Sequence, residues 1–119
     1  MADPASSPAV SAAERYVEVA VTGGKGKLAD LFAEDAEFHD PEGEILSGRE
    51  VIRAFYDRRL ADLTPSFHIA RVVDSGSECW VELAHGDRAA PELVSANHFT
   101  VGTGGLVTRL AVFLRPRST

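Results

Sequence analysis

Apolar positions along the chain follow a helical period before residue 64 and a strand period after residue 66. The stretch "AAERYVEVAV" carries Ala13, Tyr16, Val17 and Ala20 at helical spacing. Ser11 followed by Glu14 is a capping-box pattern that predicts the start of this helix, and Gly23-Gly24 predicts its stop. A second, short helix is predicted over "GKLADLF", with Leu28, Leu31 and Phe32 on one side. "AEFHDP" is too short for more than a stub of strand or an extended loop, and Pro41 pushes Asp40 towards extended geometry. A third helix is predicted over "REVIRAFYDRRLADL", opened by Ser47 and Glu50 as a second capping box. Its apolar stripe is Val51, Ile52, Phe55, Tyr56, Leu60 and Leu63, and Thr64-Pro65 ends it.

The later segments "FHIARVV", "ECWVELAH", "ELVSANHFTV" and "LVTRLAVFL" alternate with period two and read as strands. "DSGS", "GDRAAP" and "GTGG" separate them as turns. Helices followed by strands predict an α+β fold, with helices packed on one face of a curved, mainly antiparallel sheet. The mouth of such a curl is a natural small-molecule pocket. Alternation places Leu93, Ser95, Asn97, Phe99 and Val101 on one face, and Val94, Ala96, His98 and Thr100 on the other. In "ECWVELAH", Trp80 shares a face with Glu78 and Glu82, while Cys79, Val81, Leu83 and His85 share the opposite one.

Composition narrows the function classes. The chain has 119 residues, enough for one domain with a real core, and is expected to form it over residues 11–119 after a flexible tail at 1–10. A net charge of -6 leaves no broad basic footprint, so neither nucleic acid nor a membrane surface is an expected partner. No apolar run approaches the ~18 residues of a spanning helix. Cys79 is the single cysteine, so no intrachain disulfide forms, and no spacing of cysteines or histidines suggests a metal. The start "MADPASSPAV" lacks the form of a secretory signal, and a cytoplasmic location is expected. "GGKGK" follows a helix rather than a strand and reads as a turn, not a phosphate loop.

Three polar residues are candidates for chemistry. Asp40 reads by composition as one of a solvated acidic run with Glu34, Asp35, Glu37, Glu42 and Glu44. It also reads as a general base, if apolar walls and a partner for developing enolate charge surround it. Tyr16 reads either as a core-edge tyrosine or as a phenol donating into a cavity. Asn97, on a mainly apolar face, is a satisfied structural amide, a donor aimed at a ligand, or a water-facing residue. Glu82 reads best as a rim or edge carboxylate, because unpaired buried carboxylates are rare.

From about Ser11 to Arg115 the chain resembles the ketosteroid isomerase group of the NTF2-like, SnoaL-like superfamily. The most specific part is "LADLFAEDAEFHDPEGEILSGREVIRAFY", with its Asp-Pro-x-Gly and Gly-Arg-Glu elements and its aromatic-Tyr pair. The resemblance implies a cone-shaped fold with three N-terminal helices, commonly a homodimer, and no cofactor. It implies that Asp40 is the base, Tyr16 the oxyanion donor and Tyr56 the tyrosine that supports it. The family's second donor, a protonated aspartic acid, falls on Asn97. Its extra network tyrosine falls on Phe32, and an aromatic lining position falls on Leu114. The expected substrate wall, from these positions and the strand and helix faces together, comprises Phe32, Phe55, Trp80 and Leu93 with Phe99, Leu110, Val112 and Leu114. The activity implied is steroid delta-isomerase-like: migration of a double bond in an apolar, carbonyl-bearing molecule, steroid or polyketide-like. A SnoaL-like polyketide cyclase or dehydratase, and a non-catalytic binding module, are the alternatives.

Overall fold

The Ser7 hydroxyl accepts a hydrogen bond from the Val10 N–H at 3.1 Å, and Pro8 occupies the first helical position. Both favour a helix start, one by satisfying an orphan donor and the other by having none to satisfy. Helix α1 therefore runs Pro8–Val21, about one turn earlier than the Ser11–Glu14 pattern predicts. In the computed structural model the described residues are 6–22, 24–60, 65–86 and 91–116; for residues 25, 91–93 and 116 the description covers the backbone alone.

The buried face of α1 is Ala9, Ala12, Ala13, Tyr16 and Ala20. Alanines let the helix lie close to the sheet, so Tyr16 is the one large side chain that this face inserts. Helix α2 (Lys25–Leu28) is a single turn, continued by a 3-10 turn over Ala29–Leu31. Helix α3 (Arg49–Arg59) buries Ile52 and Tyr56. Arg53 of α3 donates to Gly26 O and to the Asp30 carboxylate, both at 2.8 Å, and so ties α3 to the α2 region.

Among the described residues six strands form one sheet: β1 (Phe32–His39), β2 (Ile45–Ser47), β3 (Phe67–Asp74), β4 (Glu78–Gly86), β5 (Pro91–Val101) and β6 (Val107–Pro116). Their order is β2-β1-β6-β5-β4-β3, antiparallel throughout except for β1 with β6. The mainly antiparallel α+β sheet is as the period-two segments predict. Two parts differ. The short "AEFHDP" stretch belongs to an eight-residue strand that starts at Phe32, so Phe32 is not helical. Strands β1 and β2 also precede α3, so the three helices are not all N-terminal to the sheet. Strand β1 hides because its register on β6 shifts between Phe32 and Glu37. That shift breaks the alternation, leaving Phe32, Ala36 and Phe38 buried among exposed Glu34, Asp35 and Glu37.

The second capping box is not used. Ser47 lies in β2, Gly48 is the N-cap without a side-chain bond, and the Glu50 carboxylate accepts from Arg53 Nε at 3.0 Å instead. Gly48 turns the chain from β2 into α3 at φ +99° and ψ 140°, a region closed to residues with a Cβ. The core lies between the helices and the inner sheet face, with Phe32, Ile52, Leu83, Phe99 and Leu110 fully buried. Among the described residues no helix is long and apolar enough to cross a membrane.

Gly48→Ala is expected to lower the unfolding free energy by about 1–3 kcal/mol through backbone strain alone, since nothing crowds its Cβ position. A urea titration reads this as a lower midpoint at unchanged slope; an unchanged midpoint would mean that the junction relaxes to negative φ.

Candidate functional site

The helices and the inner sheet face leave a largely apolar cavity of about 200 Å³. This is below the roughly 300–1,000 Å³ of common ligand pockets. Tyr16 and Ala20 line it from α1, and Phe55, Tyr56 and Arg59 from α3. The sheet contributes Phe67, Leu83, His85, Ser95, Asn97, Val112 and Leu114. Among the described residues, no three His, Cys, Asp or Glu side chains converge in a way that could hold a metal ion.

Tyr16 and Tyr56 meet across the cavity, oxygen to oxygen at 2.7 Å. Both rings are buried, Tyr16 edge-on to Phe99 at 5.5 Å and Tyr56 edge-on to Phe38 at 5.7 Å. Burial pushes the Tyr16 phenol up to about 12, against a smaller lowering by its bond to Tyr56. Burial, and then the neighbouring Tyr16, push Tyr56 well above the usual phenol range. Both hydroxyls therefore stay protonated near neutral pH. Two O–H groups share one mutual bond, so one hydrogen remains for a ligand acceptor.

A second polar group lies on the sheet side. Asn97 Nδ2 donates to Val81 O at 3.1 Å and to Ser95 Oγ at 2.9 Å. Ser95 Oγ in turn pairs with His85 Nε2 at 2.9 Å, and the His85 ring stacks on Phe67 at 5.1 Å. Burial lowers the His85 pKa and favours the neutral imidazole. Ser95 and His85 were not singled out as site residues by the sequence. Alternation put Ser95 on the Asn97 face and His85 on the Val81 face, but only the β4–β5 register brings them together.

Asp40 lies at the rim. Its Oδ1 accepts the backbone N–H groups of Glu42 at 2.9 Å and Glu44 at 3.0 Å. It lines an open depression with Glu42, Glu44, Phe55, Arg58 and Arg59. Phe55 and Arg59 also line the apolar cavity, as does Pro41, so Asp40 stands next to the cavity rather than on its wall.

The other expected lining residues divide. Phe55, Val112 and Leu114 line the cavity. Phe32, Phe99 and Leu110 are fully buried in the core behind it. Phe32 packs against Tyr56 with ring centroids 6.3 Å apart, and has no hydroxyl to add to the tyrosine pair. Trp80 does not line the cavity. It is 44% exposed and lies tilted against His98 at 4.7 Å and Phe113 at 5.8 Å. Strand alternation sends it to the outer face, because Cys79 and Val81 point inward. The Leu93 side chain lies outside the described residues.

The sequence profile of the SnoaL-like domain family matches residues 13–110. No functionally curated protein matches the sequence. Among solved structures, a steroid delta-isomerase from Pseudomonas aeruginosa is 18% identical with a TM-score of 0.73, covering 97% of this chain and 85% of that one. An NTF-2 like protein of unknown function from Burkholderia xenovorans is 17% identical with a TM-score of 0.76, covering 94% and 86%. A hypothetical protein with a ketosteroid isomerase-like fold from Catenulispora acidiphila, solved with trimethylamine, is 20% identical with a TM-score of 0.73, covering 91% and 86%. At these identities the likeness is one of fold.

The His85 shift has a consequence for stability. With the folded pKa below the ordinary 6.5, the unfolded chain takes up this proton first as pH falls. His85 thus costs no stability above pH 6.5 and an increasing amount as pH drops through that value towards the folded pKa. The melting-temperature difference between the parent and His85→Gln should move in the variant's favour from pH 7.5 to pH 5. Parallel melting curves across that range would show that His85 titrates as freely folded as unfolded.

Proposed function

The chain belongs to the SnoaL-like domain family and has an NTF2-like α+β fold, and on that premise we propose that it is a cofactor-independent enzyme that moves a proton next to the carbonyl of a small apolar substrate. The outcome is migration of a carbon–carbon double bond, as in steroid delta-isomerases. The observation that carries this reading is the buried Tyr16–Tyr56 pair in an otherwise apolar cavity. Such a pair is a pre-oriented donor for a carbonyl oxygen that gains negative charge.

In this reading the substrate carbonyl accepts from Tyr16, and Tyr56 donates to the Tyr16 oxygen. Asp40 takes the α-proton at the rim and returns it at the far end of the conjugated system. Its Oδ1 is held by the turn, and Oδ2 has no hydrogen bond among the described residues. Asn97 has both amide hydrogens engaged, so Tyr16 carries the oxygen contact. A cavity of about 200 Å³ favours a one- or two-ring enone over a whole steroid nucleus. A polyketide cyclase or dehydratase would use the same groups on another carbonyl compound.

A second reading is a non-catalytic binding protein. What favours it is the Asp40 carboxylate, tied to its own turn and beside the cavity rather than in it. We also infer a homodimer through the outer sheet face, where Trp80, Phe113 and Val73 are exposed.

Asp40→Asn is expected to reduce isomerisation of a small β,γ-unsaturated ketone by about 10²–10⁴-fold, with unchanged folding by circular dichroism. Full activity would remove Asp40 as the base, and a parent protein that binds enones without turnover would favour the binding reading. Trp80→Glu should convert a dimer to a monomer in light scattering; a monomeric parent would end the dimer proposal.

A further inference from the structure

The orientation of the Asn97 amide is set by its surroundings. Val81 O can only accept a hydrogen bond, so the amide atom 3.1 Å from it is the nitrogen. The second Nδ2 hydrogen goes to Ser95 Oγ at 2.9 Å. Either tautomer of His85 leaves Ser95 Oγ a lone pair for that hydrogen. Asn97 Oδ1 is left with no hydrogen bond among the described residues. Among the described residues no buried side-chain nitrogen or oxygen lacks a partner, so this oxygen meets open space, and the space beside Asn97 is the cavity.

Apart from Arg59, His85 and Ser95, which also line it, the cavity thus presents one donor, from the tyrosine pair, and one acceptor, Asn97 Oδ1. An oxyanion would meet the negative end of the amide dipole there. A neutral hydroxyl would donate to it. We propose that the site takes a small apolar ligand that bears a neutral hydroxyl beside its carbonyl, with Asn97 accepting the hydroxyl hydrogen and Ser95 acting as the positioning residue that enforces this choice. The proposal rests on the reading of this cavity as the ligand site and names the substrate class within it.

The probe is a nitrophenol that also carries a ketone to occupy the tyrosine pair, so that the absorbance of its phenol reports the ionisation of the oxygen that faces Asn97. The titratable or charged groups on the cavity wall are Tyr16, Tyr56, His85 and Arg59. Measurements above pH 7 keep His85 neutral, and high ionic strength screens Arg59. The bound probe is expected to show the neutral-phenol spectrum. Its apparent Kd should weaken tenfold for each pH unit above the probe's own pKa. Asn97→Leu should weaken neutral-phenol binding about tenfold, the worth of one hydrogen bond. Ser95→Ala frees one amide hydrogen of Asn97, so the bound phenolate fraction should rise and the pH dependence flatten. A phenolate spectrum in the parent complex at a pH below the probe's pKa would overturn the proposal. So would a Ser95→Ala complex indistinguishable from the parent, or no binding of either phenol form. Failure of the isomerase reading is separate: loss or absence of enone turnover leaves these binding spectra as they are.

Discussion

The hydrogen bond between Tyr16 and Tyr56 is the constraint on which the cavity depends. It joins α1 to α3 at 2.7 Å in a place walled by aromatic rings. A buried hydroxyl left unpaired costs about 1–3 kcal/mol, so each phenol holds the other in position. The rings close the space behind the pair, and the alanines of α1 let the helix sit low enough for Tyr16 to reach across. The same burial that raises both phenol pKa values keeps them neutral donors. Structure and chemistry here follow from one contact.

The opposite wall obeys the same rule with different atoms. Ser95 and Asn97 are buried polar residues on a sheet face otherwise filled by Cys79, Val81, Leu83 and Phe99. They are tolerable there because they satisfy each other, the Val81 carbonyl and His85. Satisfaction is also direction: once the amide hydrogens are committed, the remaining oxygen has a defined role. On the proposal above, a network that solves a burial problem also sets what a ligand must offer.

Much of this architecture is legible in the sequence, and the gaps have physical causes. Period-two alternation places the inner face of β5 correctly at Ser95, Asn97 and Phe99, because side chains in a regular antiparallel strand have nowhere else to go. It also places Trp80 opposite Val81, and the expectation of Trp80 on the substrate wall chose the wrong one of those two faces. Strand β1 is obscured because its partner β6 lies about seventy residues away, and a register shift scrambles its local pattern. The Ser47–Glu50 motif is present but unused, because Arg53 competes for the Glu50 carboxylate and the chain needs the positive φ of Gly48. Tyr16 is a candidate from the helix pattern and Tyr56 from resemblance, yet their 2.7 Å contact is a tertiary fact. The Asn97 donor expected from resemblance depends on where two hydrogens go, which no one-dimensional pattern carries.

Fold likeness at 17–20% identity carries the scaffold and not the reaction. The departures from the resembling group point in one direction. An amide stands where the group has an acid, Phe32 stands where it has another tyrosine, and Leu114 stands where it has an aromatic ring. The first changes a donor into a group whose hydrogens are already committed. The second limits the phenol network to two members, and the third leaves an aliphatic wall around a cavity of about 200 Å³. On the reading proposed above, a buried donor and a buried acceptor in so small a volume would discriminate by the polarity of individual ligand atoms, since mispairing either leaves a buried group unsatisfied. Selectivity of that kind needs few contacts, and it would let a widely shared fold serve a different small molecule without change to its frame.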